Sequence, residues 1–132
     1  MSKETYGNHE AFSFGNDPIV IRVFGKSIIN GRKLDVTGYT GEYIRKGQLI
    51  LRDTSDTHSI PMPLNEAGTA YAAKPEGYEY EGVSKSTVSV KEPWVGVMYE
   101  GEVNDVASPF PLSAELLTAL KSALPELAFK HS

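Results

Sequence analysis

The sequence predicts a mainly β fold, a small β-barrel or β-sandwich with one C-terminal helix and an extended N-terminal arm. Three observations predict it. Short apolar runs rich in β-branched residues recur along the chain between Gly, Pro and Asn-Gly punctuation. One stretch near the C-terminus carries leucines at helical spacing. The first 17 residues follow neither period, yet hold three aromatics, Tyr6, Phe12 and Phe14.

Taken in order, residues 1–17 form the arm and residues 18–132 a single β-rich domain. The arm reads either as a frayed terminus or as a segment that orders on a neighbouring subunit, with Tyr6, Phe12 and Phe14 as anchors. Ile19-Val20-Ile21-Arg22-Val23-Phe24 reads as a strand buried on at least one face. Asn30-Gly31 suits a tight hairpin that needs positive φ. Tyr43 to Leu51 reads as strand, glycine turn, strand, and Arg52 to Ser59 as a polar hairpin loop. Ile60-Pro61-Met62-Pro63-Leu64 belongs on a sheet edge or in a connection, because each proline removes a ladder donor.

The alternation Tyr78-Glu79-Tyr80-Glu81 puts the tyrosines on one face of a strand and the glutamates on the other. Trp94 to Val103 is the most apolar strand candidate and is expected at the sheet centre, with Trp94 in the core or at its rim. Ser113 caps a helix whose stripe is Leu116, Leu117, Leu120 and Leu124, and Pro125 stops it. Leu127-Ala128-Phe129 follows as a terminal strand.

Composition narrows the function classes. The 132 residues include no cysteine, which removes disulfides, thiolate nucleophiles and thiolate metal ligands. Net charge is −4, with 13 basic residues scattered along the chain, so no basic face matches a phosphate backbone and no nucleic-acid partner is expected. No apolar run is long enough for a membrane span, and the start has no apolar signal core, so synthesis in a cytoplasm is expected.

Motifs for chemistry are sparse. His9, His58 and His131 lie far apart, without metal-ligand spacing. Asp53, Asp56 and His58 lack the ligand order of a calcium loop and read as a solvated hairpin tip. Glu79 and Glu81 could form a glycosidase-type carboxylate pair, but surface strands commonly carry such residues. Neither Lys85 nor Lys91 sits in the hairpin setting of a lipoyl or biotinyl carrier. Nucleophile elbows and nucleotide-binding glycine motifs are missing. No enzymatic activity and no cofactor are expected.

The second half carries a resemblance. Glu81-Gly82-Val83, Thr87-Val88-Ser89-Val90 and Pro93-Trp94-Val95-Gly96-Val97-Met98-Tyr99-Glu100-Gly101-Glu102-Val103-Asn104-Asp105-Val106-Ala107 resemble the closing segment of tailed-phage head decoration proteins. Gly31 to Val36, Tyr43 to Ile50, Tyr71 to Gly77 and Ala119 to Phe129 are similar to pieces of capsid auxiliary and head-fibre-base proteins of phages of Bacteroides-type hosts, including crAss-like phages. The resemblance spans about residues 31 to 131 and rests on glycine, turn and apolar positions.

It implies a structural virion protein on the outer capsid surface, made in the host bacterial cytoplasm. Its partner would be the major capsid protein, which it would bridge or stabilise. Other decoration or head-fibre subunits and a homotrimer are further implied partners. The alternative is the base of a head fibre, or a glycan- or host-binding module using Tyr71, Tyr78 and Tyr80 as a surface aromatic face.

Overall fold

The computed structural model describes residues 17–130, with side chains from residue 19 onward. Tyr6, Phe12, Phe14 and nearly all of the arm lie outside the described residues. The chain is mainly β with one C-terminal helix. A helical turn α1 (Asp17–Val20) leads into β1 (Ile21–Phe24). Short strands follow: β2 (Arg32–Lys33), β3 (Tyr43–Ile44), β4 (Leu49–Asp53), β5 (Ser59–Pro61), β6 (Tyr78–Ser84), β7 (Val88–Ser89), β8 (Trp94–Val95), β9 (Val97–Met98) and β10 (Gly101–Val103). Helix α2 (Ala114–Ala123) and β11 (Leu127–Phe129) close the chain.

The largest sheet has the order β5-β4-β6-β9, all antiparallel, and it curls into half a barrel. Strand β4 explains how the sheet is held. Leu49 and Leu51 enter one apolar cluster with Val83, Met98, Val103, Leu120 and Leu127. Ile50, between them, enters a second cluster with Leu34, Ile44, Val95 and Val97. Successive strand residues point to opposite faces, so an unbroken apolar run marks a strand covered on both sides.

The cover of the first cluster is a β–α–β unit. Strand β10 lies between β1, antiparallel, and β11, parallel. Parallel neighbours need a long crossover, and α2 supplies it. Ser113 Oγ accepts the Leu116 N–H at 3.1 Å, which caps the helix as expected. Leu120 and Leu124 are buried, while Leu116 and Leu117 are only half-buried, so the working stripe is narrower than the four leucines. A barrel or sandwich expectation does not contain this parallel crossover.

Four local expectations need correction. The strand expected from Ile19 begins at Ile21, because Asp17–Val20 is a helical turn, with Pro18 in the first turn where a missing N–H costs nothing. Asn30 and Gly31 do take positive φ, 67° and 69°, but the segments flanking them do not pair with each other. Both run along residues 93–98 instead: Ile28 N–H donates to Val97 O at 2.9 Å, and Arg32 and Lys33 pair with Val95 and Trp94. The expected strand Trp94 to Val103 breaks into three pieces in three different sheets, and only β10 is central. Trp94 itself is 57% exposed, neither core nor rim.

Candidate functional site

Strand β1 carries two half-exposed apolar side chains in succession. It pairs with β10 along one edge, and no described strand pairs with the other. Val23 is 48% and Phe24 53% exposed, and Ile19, two residues before the strand, is 54% exposed. The strand is fixed from its paired side. Gly101 has φ +143°, and a Cβ there would lie 2.4 Å from the Val23 carbonyl oxygen, so only glycine lets β10 approach this closely. Arg22 and Lys130 both approach Glu102, at 3.6 and 3.3 Å, tying β1 and the chain after β11 to β10.

Two ammonium groups approach the Phe24 ring. Lys46 Nζ lies 5.2 Å and Lys85 Nζ 5.8 Å from its ring centroid. Lys85 Nζ also reaches Ser27 Oγ at 3.5 Å. The result is a half-exposed aromatic with a basic border, on a strand edge that no described strand pairs. Open edges are usually blunted or covered because they invite another chain.

The tyrosines of the expected aromatic face do not form one surface. All three pack against the first core cluster. The Tyr71 hydroxyl accepts the Leu49 N–H at 3.0 Å, and burial pushes its pKa upward. Tyr71 also packs on Phe110 with ring centroids 5.2 Å apart. Tyr71 and Tyr80 share a groove of about 460 Å³ with Met62, Lys74, Leu112 and Leu116. Tyr78 is absent from that lining and turns to His58 instead, its hydroxyl 2.7 Å from Nε2.

The polar loop after β4 is a solvated hairpin tip, with residues 54–57 exposed, and hydrogen bonds to Asp53 fix its shape. Asp53 Oδ1 accepts the N–H groups of Thr57 at 2.6 Å and His58 at 3.1 Å. Asp53 Oδ2 lies 3.3 Å from His58 Nδ1, so Asp53, His58 and Tyr78 form a line of carboxylate, imidazole and phenol. The hydroxyl of Thr57, with the Thr57 and His58 amides, holds the Asp53 carboxyl down at about 2. A line of this kind can relay a proton. Here it fastens the hairpin tip to β6, and none of its members lines the grooves beside Trp94 or Tyr71.

Glu79 and Glu81 are not an equivalent pair. Glu81 falls at a bulge, where Ile50 faces Gly82 and Leu51 faces Tyr80, so the period-two alternation ends there. The Glu81 carboxylate is consumed by neighbours. Oε2 accepts from Arg32 Nε at 3.0 Å and lies 2.9 Å from Arg32 Nη2, and Oε1 accepts from Ser59 Oγ at 2.8 Å. Glu79 stays exposed.

The exposure of Trp94 is the feature least expected from its residue type. Leaving over half of an indole in water forgoes on the order of 3 kcal/mol of burial. Its Nε1–H donates to the Asn30 carbonyl at 2.8 Å, so the ring is held in place although it is not packed away. Among the described residues, no cluster of three or more His, Cys, Asp or Glu side chains is placed to hold a metal ion. No described helix is long and apolar enough to cross a membrane.

The chain matches no family model, no curated protein and no solved structure at a significant level.

Proposed function

We propose that this chain is a structural virion protein, a small decoration-type β-rich domain that docks on the outer surface of a phage capsid and bridges or stabilises neighbouring major capsid proteins. The observation that carries the reading is β1, whose outer edge is paired by no described strand and whose Val23 and Phe24 are half-exposed beside Lys46 and Lys85. Such an edge accepts an added strand through its backbone groups, and the apolar side chains set the register. The basic border favours a partner segment flanked by acidic residues. The resemblance of residues 31 to 131 to head decoration proteins supplies the lattice as the partner. A shell presents many equivalent sites, so a modest edge contact suffices when it is repeated.

The arm belongs to the same reading. It enters the domain directly at α1 and β1, so an arm anchored on the shell by Tyr6, Phe12 and Phe14 leads into the docking edge. The test is co-sedimentation with purified capsids. Val23→Glu and Phe24→Glu change half-exposed side chains, and together they are expected to abolish binding with an unchanged melting temperature. Deletion of residues 1–17 is expected to weaken it sharply. Full binding by the double variant would overturn the edge reading.

A further inference from the structure

A groove of about 660 Å³ beside Trp94 is lined by Lys33, Lys91, Glu92, Pro93 and the indole. We propose that this groove binds a saccharide carrying a carboxylate, with a pyranose ring stacked on Trp94 and the acid group between Lys33 and Lys91.

The site is built before any ligand arrives. The indole N–H is bonded to Asn30 O at 2.8 Å, which leaves the ring face open while its orientation is fixed. Gly31 makes that possible, since a Cβ there would lie 2.5 Å from Val95 O and 3.2 Å from Trp94 Nε1. The loop behind is tied by Glu92 N–H to Ser89 O at 3.1 Å, Trp94 N–H to Glu92 O at 2.9 Å and Leu34 N–H to Pro93 O at 2.8 Å. Lys33 is the cross-strand partner of Trp94. A preorganised site loses little entropy on binding.

The chemistry of the lining selects the ligand. The C–H face of a pyranose is apolar and covers an aromatic ring, while its hydroxyls need both donors and acceptors around that ring. Lys33 and Lys91 donate and Glu92 accepts. Lys33, Lys91 and Glu92 join none of the ion pairs between described residues. Two ammonium groups against one carboxylate leave the groove with a positive excess, which an acidic sugar neutralises. A nucleic-acid strand stacks on tryptophan too, but it needs a longer track of cations, and Glu92 would repel its phosphates. The groove shares no lining residue with β1 or with the lysines beside Phe24, so this inference stands or falls independently of capsid docking.

Trp94 is the sole tryptophan, so fluorescence excited beyond the tyrosine absorption band reports this groove alone. The full chain is titrated with a hyaluronan tetrasaccharide and a tetragalacturonate, with maltotetraose as neutral comparison. The expected result is a saturable change with at least one of the two acidic probes, at least about tenfold tighter than with maltotetraose. The Lys33→Gln, Lys91→Gln double variant should lose at least about tenfold in affinity with an unchanged melting temperature. Trp94→Ala, read by calorimetry, should not bind. No saturable response to either acidic probe, or equal affinity for maltotetraose, overturns the proposal. So does saturation by an oligothymidylate or a polyglutamate peptide when the acidic sugars give none.

Discussion

Arg32 on β2 grips Glu81 on β6, with Nε and Nη2 at 3.0 and 2.9 Å from the same carboxylate oxygen. Ser59 on β5 donates to the other oxygen at 2.8 Å, and Arg52 Nη1 donates to Ser59 at 3.1 Å. The Glu81 carboxylate, at the bulge, thus links β6 to two strands that it does not pair with, β2 and β5. Separate loss of either partner leaves a charge with 29% or 9% side-chain exposure unpaired. A double-mutant cycle with Arg32→Ala and Glu81→Ala, read by urea unfolding, should give a coupling of about 1–3 kcal/mol. Glu79→Ala, on an exposed position, should change stability by less than about 0.5 kcal/mol.

Acid should weaken the hairpin tip through Asp53. Its carboxyl sits near 2 in the folded chain, chiefly through the Thr57 hydroxyl, below the ordinary aspartate value of about 4. A depressed folded value means that the contribution is complete above about pH 4 and is lost as pH falls through about 2. Melting temperatures measured across that window should fall less steeply for Asp53→Asn than for the unaltered chain. Parallel curves would show that Asp53 contributes nothing there.

The C-terminal crossover should be the most mutation-sensitive helix contact. Leu120 is fully buried in the first core cluster, so Leu120→Ala should cost about 2–5 kcal/mol. Leu117, outside that cluster and half-buried, should cost clearly less on the same change. Ser113→Ala removes the cap and should cost about 1 kcal/mol. Chemical denaturation ranks the three.

Strand β10 should not tolerate a side chain at Gly101. The φ of +143° and the Val23 carbonyl 2.4 Å from a built Cβ act together, and Gly101→Ala should destabilise by about 3 kcal/mol or more. Because β1 is fixed by that approach, the variant should also lose protection from hydrogen exchange at Ile21–Phe24.

Local chemistry is what the sequence made legible. The capped helix, the glycine at the β3–β4 turn, the hairpin tip at Arg52–Ser59, the proline-bearing edge strand and the terminal strand all follow from residue types at short spacing. Pairing partners were not legible. Asn30 and Gly31 have the backbone expected of a hairpin turn, yet residues 93–98 capture both flanks. The same capture places Trp94 at the surface, which its residue type argues against. The Glu81 bulge is a register event between β4 and β6, invisible in either strand alone. The exposed edge of β1 has the same origin: the run Ile19–Phe24 looks buried until its position in the sheet is known.

A cryo-EM reconstruction of the phage particle that carries this chain tests the docking reading most directly. The expected density places the domain on the outer shell, with β1 against the major capsid protein and Phe24 covered. A particle without the chain, or one in which Val23 and Phe24 face solvent, would contradict it.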